Sequence, residues 1–270
     1  MKKVGIVINK KKDDGLLYTR QVCDFFSERG IGTYVYEANN LGSGSCEVAT
    51  SFLVVLGGDG TMLKACILAA THDIPLLGIN LGNLGFLTDV EKEFGHLALA
   101  KVLDGDYYLE KRMLLEADFP TSRPHRLSEL LAVNEVNICG NDRLTEFSVY
   151  VSESPLNVFR ADGIVVATPT GSTAYSLSAG GPLLMPCSRM MVITPVSPHG
   201  FGIRPLVIGW EDTVRIVVRG EARILLDGNE KGVLASGQSV QINAAKFFAS
   251  IIKTSSSNIY TTLRKKKMIC

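Results

Sequence analysis

Long apolar runs are missing from this 270-residue chain. No stretch approaches the roughly 18 residues that a membrane-spanning helix needs. Excess charge is missing too: 28 Lys and Arg stand against 27 Asp and Glu, a formal net charge of +1. Proteins that grip a phosphate backbone usually carry a basic surplus, so nucleic acid is not expected as a partner. The one basic cluster, Arg264-Lys265-Lys266-Lys267, reads as a solvated helix end. Six cysteines are scattered without a C-x-x-C pair, which leaves neither a disulfide scaffold nor a zinc site to expect. The apolar run after Met1-Lys2-Lys3, Val4 to Ile8, is too short for a signal-peptide core, and a soluble cytoplasmic protein is expected. Three catalytic signatures are also lacking. There is no G-x-x-x-x-G-K-[ST] loop, no G-x-G-x-x-G after the first strand and no G-x-S-x-G elbow, so a nucleotide here would be held in some other way.

What is present is a chain with 46% apolar and 20% charged residues, long enough for two domains. The first hundred residues alternate strand and helix patterns. Val4–Ile8, Thr33–Tyr36, Phe52–Leu56 and Ile74–Ile79 read as strands. Tyr18, Val22, Phe25 and Phe26 form one helical stripe, and Leu63, Cys66, Ile67 and Ala70 another. This alternation predicts an α/β domain with a parallel sheet over residues 1–105. Beyond it, short β-branched runs separated by turn residues take over: Ala132–Ile138, Phe147–Val151, Gly163–Ala167, Met190–Thr194, Val214–Val218 and Arg223–Leu226, then Val240–Ile242 and Phe248–Lys253. They predict a β-rich domain over 106–249. A short helix at Tyr260–Met268 is expected to bring residues 250–270 back to the first domain.

Chemistry can sit in four places. Gly57-Gly58-Asp59-Gly60-Thr61 lies between a strand and a helix. Its glycines let the backbone approach an anion, the helix adds its positive end, and an Asp there can take a proton or hold magnesium. The bland alternative is a tight turn with Asp59 as helix cap. Thr168–Pro182 is dense in hydroxyls and glycine, with Ala174, Tyr175, Leu177 and Ala179 interleaved, and is expected to line a polar ligand instead of lying in solvent. Asn134-Glu135 sits in the apolar run Leu130–Ile138, where a carboxylate needs a partner such as a ribose diol or a structural hydrogen bond. Asp227-Gly228-Asn229 is first of all a hairpin turn. His199, beside the strand Pro205–Ile208, is read as structural.

Together these segments resemble the NAD kinase family. The matching pieces are Gly57-Gly58-Asp59-Gly60-Thr61, Asn80-Leu81-Gly82 through Gly85-Phe86-Leu87-Thr88, Asn134-Glu135, Arg160-Ala161-Asp162-Gly163, Thr168 through Pro182, Ile193 through His199, and Arg204-Pro205-Leu206-Val207. They follow the family's order over most of the chain. The glycine turn alone is shared with phosphofructokinases and lipid kinases, whereas its combination with Thr168–Pro182 is specific.

The resemblance implies an α/β domain of the phosphofructokinase and diacylglycerol kinase kind, followed by a β-rich domain that binds NAD. It implies transfer of the terminal phosphoryl group of ATP, or of polyphosphate, to the adenosine ribose 2′-hydroxyl of NAD. Asp59 would be the general base with Gly60 beside it, and Gly57 and Gly58 would face the donor phosphates. Asn134 and Glu135 would hold ribose and adenine groups. Asp162, Arg160 and Thr173, Ala174, Tyr175, Ser176, Leu177 and Ser178 would line the nicotinamide and adenine ends, and Asn229 would supply an amide. Magnesium as cofactor and a homodimer or homotetramer complete what the resemblance implies. The segment Gly140-Asn141-Asp142-Arg143 looks shorter than in some relatives.

Overall fold

The structure is a computed structural model that describes residues 3–41, 50–82, 85–88, 90–121, 124–141, 144–200, 202–254 and 259–266. Asp142 and Arg143, whose segment was singled out above, lie outside these residues, as do Cys46, Cys270 and the end of the expected C-terminal helix.

The chain divides into two compact units, Met1–Arg112 with Phe248–Cys270, and Met113–Phe247. The first division falls later than the Gly105 break that the sequence suggests. Gly105 (φ 78°) is only the left-handed cap of the helix Gly95–Asp104, and the chain runs on into a long strand.

In the first unit, strands β1 (Lys3–Ile8), β2 (Gly32–Glu37), β3 (Leu53–Gly57) and β4 (Leu76–Asn80) are parallel in the order β4-β3-β1-β2. A two-residue strand, β5 (Val90–Glu91), pairs in parallel with the end of β4. Strands β3 and β4 are buried along their whole length, as expected of parallel strands covered on both faces. Helices α1 (Leu17–Ser27), α2 (Asp59–Thr71) and α3 (Gly95–Asp104) complete the layers. Tyr18, Val22, Phe25 and Phe26 of α1 pack with Ile6, Val54, Leu56 and Leu99 in one core. The order reverses direction between β1 and β3, because the chain moves from β1 outward to β2 and then back across to β3. Ligands of open α/β sheets bind at such a reversal, beyond the carboxyl ends of the strands.

The second unit is almost entirely β. Its strands are β6 (Tyr108–Asp118), β7 (Leu131–Ala132), β8 (Glu135–Gly140), β9 (Thr145–Val151), β10 (Ser154–Ala161) and β11 (Gly163–Ala167). They continue as β12 (Met190–Val196), β13 (Leu206–Gly209), β14 (Val214–Arg219), β15 (Ala222–Leu226), β16 (Asn229–Leu234) and β17 (Ser239–Lys253). One six-stranded sheet runs β13-β12-β11-β8-β15-β16 and is antiparallel throughout. Strands β10, β9, β14 and the first part of β17 form a second antiparallel array. Strands β6 and β17 run through the boundary, each beginning in one unit and ending in the other. The two runs read separately at Val240–Ile242 and Phe248–Lys253 are one 15-residue strand. Conversely, the single run Ala132–Ile138 is broken at Val133-Asn134, just ahead of β8. Near the end of the chain the described helix, α5, spans Ile259–Lys265 and follows the four-residue α4 (Tyr175–Ser178) in numbering. Among the described residues, no helix is long and apolar enough to cross a membrane.

Candidate functional site

In the first unit the loop after β3 shows why glycine is needed. A Cβ on Gly57 would lie 2.4 Å from Thr61 Oγ1, and one on Gly58 would lie 2.7 Å from Lys12 Nζ. Gly60 is different, since a Cβ there meets nothing within 4 Å and would project into open space. Gly58 is the N-cap of α2 and contributes no side-chain bond, so Asp59, the first helical residue, does not cap its own helix. Its carboxylate reaches to the segment after β4. Oδ2 accepts from the N–H of Phe86 at 2.8 Å, and Oδ1 accepts from the N–H groups of Leu87 (3.1 Å) and Thr88 (3.3 Å) and from the Thr88 hydroxyl (3.3 Å). A carboxylate offers about four acceptor sites, two per oxygen. Oδ1 is therefore fully used, while Oδ2 keeps a lone pair for another donor. Gly85 makes this approach possible, because a Cβ there would sit 1.9 Å from Asp59 Oδ1.

Beside Asp59, the loops that follow β1, β2 and β3 enclose a cavity of ≈ 290 Å³. Its lining comprises Asn9 and Lys12 after β1, Ala38 and Asn39 after β2, Gly58, and Gly60, Thr61 and Lys64 of α2. Lys64 Nζ donates to Asn39 Oδ1 at 2.7 Å, and Asn9 Nδ2 to Thr61 Oγ1 at 3.4 Å. Two ammonium groups, two amides and the start of a helix suit an anion. The sequence reading missed Asn9, Lys12, Asn39 and Lys64. The spacing from Asn9 to Lys12 carries no helical or strand period, and only the strand order brings the three loops together.

In the second unit the Asn134-Glu135 pair stands at the start of β8, in the middle of the six-stranded sheet. Glu135 is 7% exposed, and its Oε2 is buried without a hydrogen-bond partner. Burial, and then the nearby Asp227 carboxylate, push Glu135 up to about 7, against a backbone bond from Tyr175 that holds it down. The Tyr175 phenol is itself raised, by burial and then by Cys139, Asp162 and Glu135, so these groups cluster around one side chain. Asp162 is exposed where β10 passes into β11, and its backbone is tied to Val196 and Gly140. Arg160 points outward beside Glu146 (3.9 Å), and its carbonyl accepts from the N–H of His199 at 2.7 Å.

The Thr168–Pro182 stretch is not an open loop. It folds into a 3-10 turn, Gly171–Thr173, and then α4, and its buried hydroxyls are engaged partly within the stretch and partly on Val133 and Thr194. Thr168 Oγ1 donates to the Val133 carbonyl (2.6 Å), Ser172 Oγ to that of Pro169 (2.7 Å) and Thr173 Oγ1 to that of Thr170 (2.9 Å). Ser176 is fully buried against the Thr194 hydroxyl at 2.8 Å. Tyr175 and Ser178 are the exposed members, with Thr173, Ala174 and Leu177 half-buried. A Cβ on Gly171 would fall 2.0 Å from the Asn134 carbonyl oxygen, so the stretch lies directly on the Asn134 backbone. Asn229 turns its amide inward, donating to the carbonyls of Asp227 (3.1 Å) and Leu226 (3.5 Å) of its own turn.

Comparison with known proteins joins these observations. Residues 42–107 match the family model of the ATP-NAD kinase N-terminal domain, and residues 133–254 that of the ATP-NAD kinase C-terminal domain. The NAD kinase of Ruminiclostridium cellulolyticum is 36% identical over 284 residues, covering 98% of each chain, and that of Heliobacterium modesticaldum 37% identical over 279 residues with the same coverage. Among solved structures, an NAD kinase from Archaeoglobus fulgidus in complex with ATP superposes with a TM-score of 0.79 at 23% identity, over 99% of this chain and 100% of that one. Yeast NADH kinase complexed with NADH gives 0.80 at 22% identity, over 98% and 87%. These two establish the fold: an N-terminal α/β domain with a parallel sheet and a β-rich C-terminal domain. At this identity and coverage by full-length relatives, the chain belongs to the NAD kinase family of phosphotransferases.

Proposed function

We propose that this protein transfers the terminal phosphoryl group of ATP to the 2′-hydroxyl of the adenosine ribose of NAD, giving NADP and ADP. The observation that carries the reading is Asp59, one carboxylate oxygen still able to accept, set in the chain between Gly58 and Gly60, which line a cavity together with Lys12 and Lys64. As the 2′-oxygen bonds to the γ-phosphorus, the bond to the bridging oxygen of ADP breaks and the hydroxyl proton passes to Asp59 Oδ2. Phosphoryl transfer asks mainly for positioning and charge neutralisation. Lys12, Lys64 and the first turn of α2 supply the charge, while Asn134 and Glu135 hold the hydroxyls of the acceptor.

Among the described residues, Ala38 is the one apolar side chain lining the cavity. Such a lining reads a phosphate chain and not a base, which supports inorganic polyphosphate as a second donor. Among the described residues no group of three or more His, Cys, Asp and Glu side chains is placed to hold a metal ion. Magnesium that comes with a phosphate donor does not need such a group, since one or two carboxylates beside the phosphates suffice. In this proposal the ion would arrive with the donor and offset the charge of its phosphates.

The test is purified protein with NAD, magnesium and either donor, read by a NADP-specific dehydrogenase. NADP is expected with ATP, and its absence with both donors would overturn the reading. Lys12→Ala separates donor from acceptor. Loss of a charge-assisted contact is expected to raise the KM for ATP roughly ten- to hundred-fold while the KM for NAD stays put. An unchanged KM for ATP removes Lys12 from the donor site.

A further inference from the structure

The turn joining β15 to β16 carries Asp227 in a left-handed conformation (φ 47°), followed by Gly228 (φ 75°). Asp-Gly at a hairpin needs no further role. The Asp227 side chain nevertheless leaves its turn and accepts three consecutive backbone N–H groups of a segment distant in sequence. Oδ2 takes Val133 at 2.9 Å, and Oδ1 takes Asn134 at 2.7 Å and Glu135 at 3.2 Å. The backbone N–H of Asp227 donates in return to the Glu135 carbonyl at 3.1 Å. From the other side, Thr168 closes the remaining groups: its N–H donates to the Asn134 carbonyl (2.8 Å) and its hydroxyl to that of Val133 (2.6 Å). All six main-chain polar groups of Val133–Glu135 are thus engaged. Three of the six are held by one carboxylate, at the point where the strand is broken.

The arrangement is costly for the fold. Burial pushes the Asp227 carboxyl up, against the three backbone bonds and Lys231 that hold it down, and its charge adds to the burial that raises Glu135. A neutral turn residue would avoid both costs. We infer that Asp227 is a positioning residue for substrate binding: by holding the amides of Val133, Asn134 and Glu135 it fixes the direction in which the Asn134 and Glu135 side chains meet the dinucleotide. The inference rests on the reading that this pair holds NAD.

Asp227→Asn tests it, because Asn tolerates the left-handed turn but replaces one acceptor oxygen with an NH2 group facing a backbone N–H. A small misplacement of binding groups can cost up to about a hundred-fold. The KM for NAD is therefore expected to rise at least about ten-fold, with kcat and the KM for ATP nearly unchanged. A second readout is the pH profile of the KM for NAD. Glu135 faces the Asp227 carboxylate and Tyr175, with Asp162 and Cys139 around the phenol and Lys231 beside Asp227. Removing the Asp227 charge should move the acidic inflection to lower pH, because that charge helps to raise Glu135, while the split between the KM for NAD and kcat carries the positioning role. In a Glu135→Gln background Asp227→Asn should have a much smaller effect, since the two act as one unit.

If Glu135→Gln and Asn134→Ala both leave the KM for NAD unchanged, the pair is not the NAD site and the underlying reading fails. If they raise it while folded Asp227→Asn does not, the positioning role alone is overturned. Full additivity in the double variant also overturns it. Should Asp227→Asn not fold, Asp227→Ser, whose hydroxyl keeps one acceptor, carries the same comparison.

Discussion

Asp59→Asn is expected to lower kcat by about 10²–10⁴-fold, the usual worth of general-base help, while the KM for NAD changes far less. Asn preserves the size of the side chain, and its carbonyl oxygen can still accept from Leu87 and Thr88. Its NH2 group, however, cannot take a proton from the ribose hydroxyl, and it meets the N–H of Phe86 where Oδ2 now accepts at 2.8 Å. That conflict costs about 1–3 kcal/mol for the unsatisfied donor, so the melting temperature should fall by several degrees. The two effects are separable. If Asp59 were only the anchor of the segment Phe86–Thr88, Asn would lower Tm while the folded fraction turned over at nearly the normal rate. A kcat within a few-fold of wild type, measured well below the melting transition, removes Asp59 from the proton transfer.

Glu135→Gln should move binding and stability in opposite directions. Its carboxylate is buried with Oε2 unpartnered, and on the proposed reading a ribose hydroxyl would make a charge-assisted bond there. Loss of that bond is expected to weaken NAD binding roughly ten- to hundred-fold, as read by titration calorimetry. In the free protein the same group is a liability. The folded state keeps the Glu135 proton up to about pH 7, whereas an unperturbed glutamate releases it near 4.5. Between those values the folded state binds more protons than the unfolded one, so this group makes stability fall as pH rises through the window. The total is about 3 kcal/mol, and the curve is flat above it. Gln removes that slope, so the variant should be the more stable of the two at pH 8 and bind NAD less well. For the same reason wild-type NAD affinity should rise from pH 6 to pH 8 as the carboxylate ionises. Unchanged affinity in Glu135→Gln would return Glu135 to a structural role.

The parts of this architecture that are legible in the sequence are those written in local periodicity. The buried strands β1, β3 and β4, the stripe of α1 and the Gly57–Gly60 turn all follow from residues within one element of each other. Helix α3 escaped although the residues it buries, Gly95, Ala98, Leu99 and Val102, fall at i, i+3, i+4 and i+7; the exposed Leu97 beside them blurs that stripe. Strand β17 read as two runs because Asn243, Ala244 and Ala245 interrupt its β-branched pattern, although pairing along the strand needs no such pattern. Site residues divide the same way. Asp59 and Glu135 announce themselves by chemistry unusual for their surroundings. The partners that fix them, Phe86–Thr88 and Asp227, are about 27 and 92 residues away and have no local signature. Hydroxyl density in Thr168–Pro182 suggested ligand donors, but composition cannot tell a hydroxyl that faces a substrate from one that closes its own turn, as Ser172 does, or is buried against another strand, as Ser176 is.

That last difference reaches into the thermodynamics of association. A glycine- and serine-rich segment that wrapped its ligand from a loose state would surrender about 1–2 kcal/mol of backbone freedom for each residue frozen. Thr168–Pro182 makes that sacrifice during folding, through its own turns and the hydroxyl bonds it makes within itself and to Thr194. On the proposed reading NAD would then meet a surface already set, with little chain left to immobilise. Calorimetry should show association without the large heat-capacity change and entropic penalty of coupled folding. The amides from Gly171 to Ser178 should resist deuterium exchange before any nucleotide is added. Exchange that is rapid in the free protein and slowed only by NAD would mean that the ligand, and not the fold, orders this stretch.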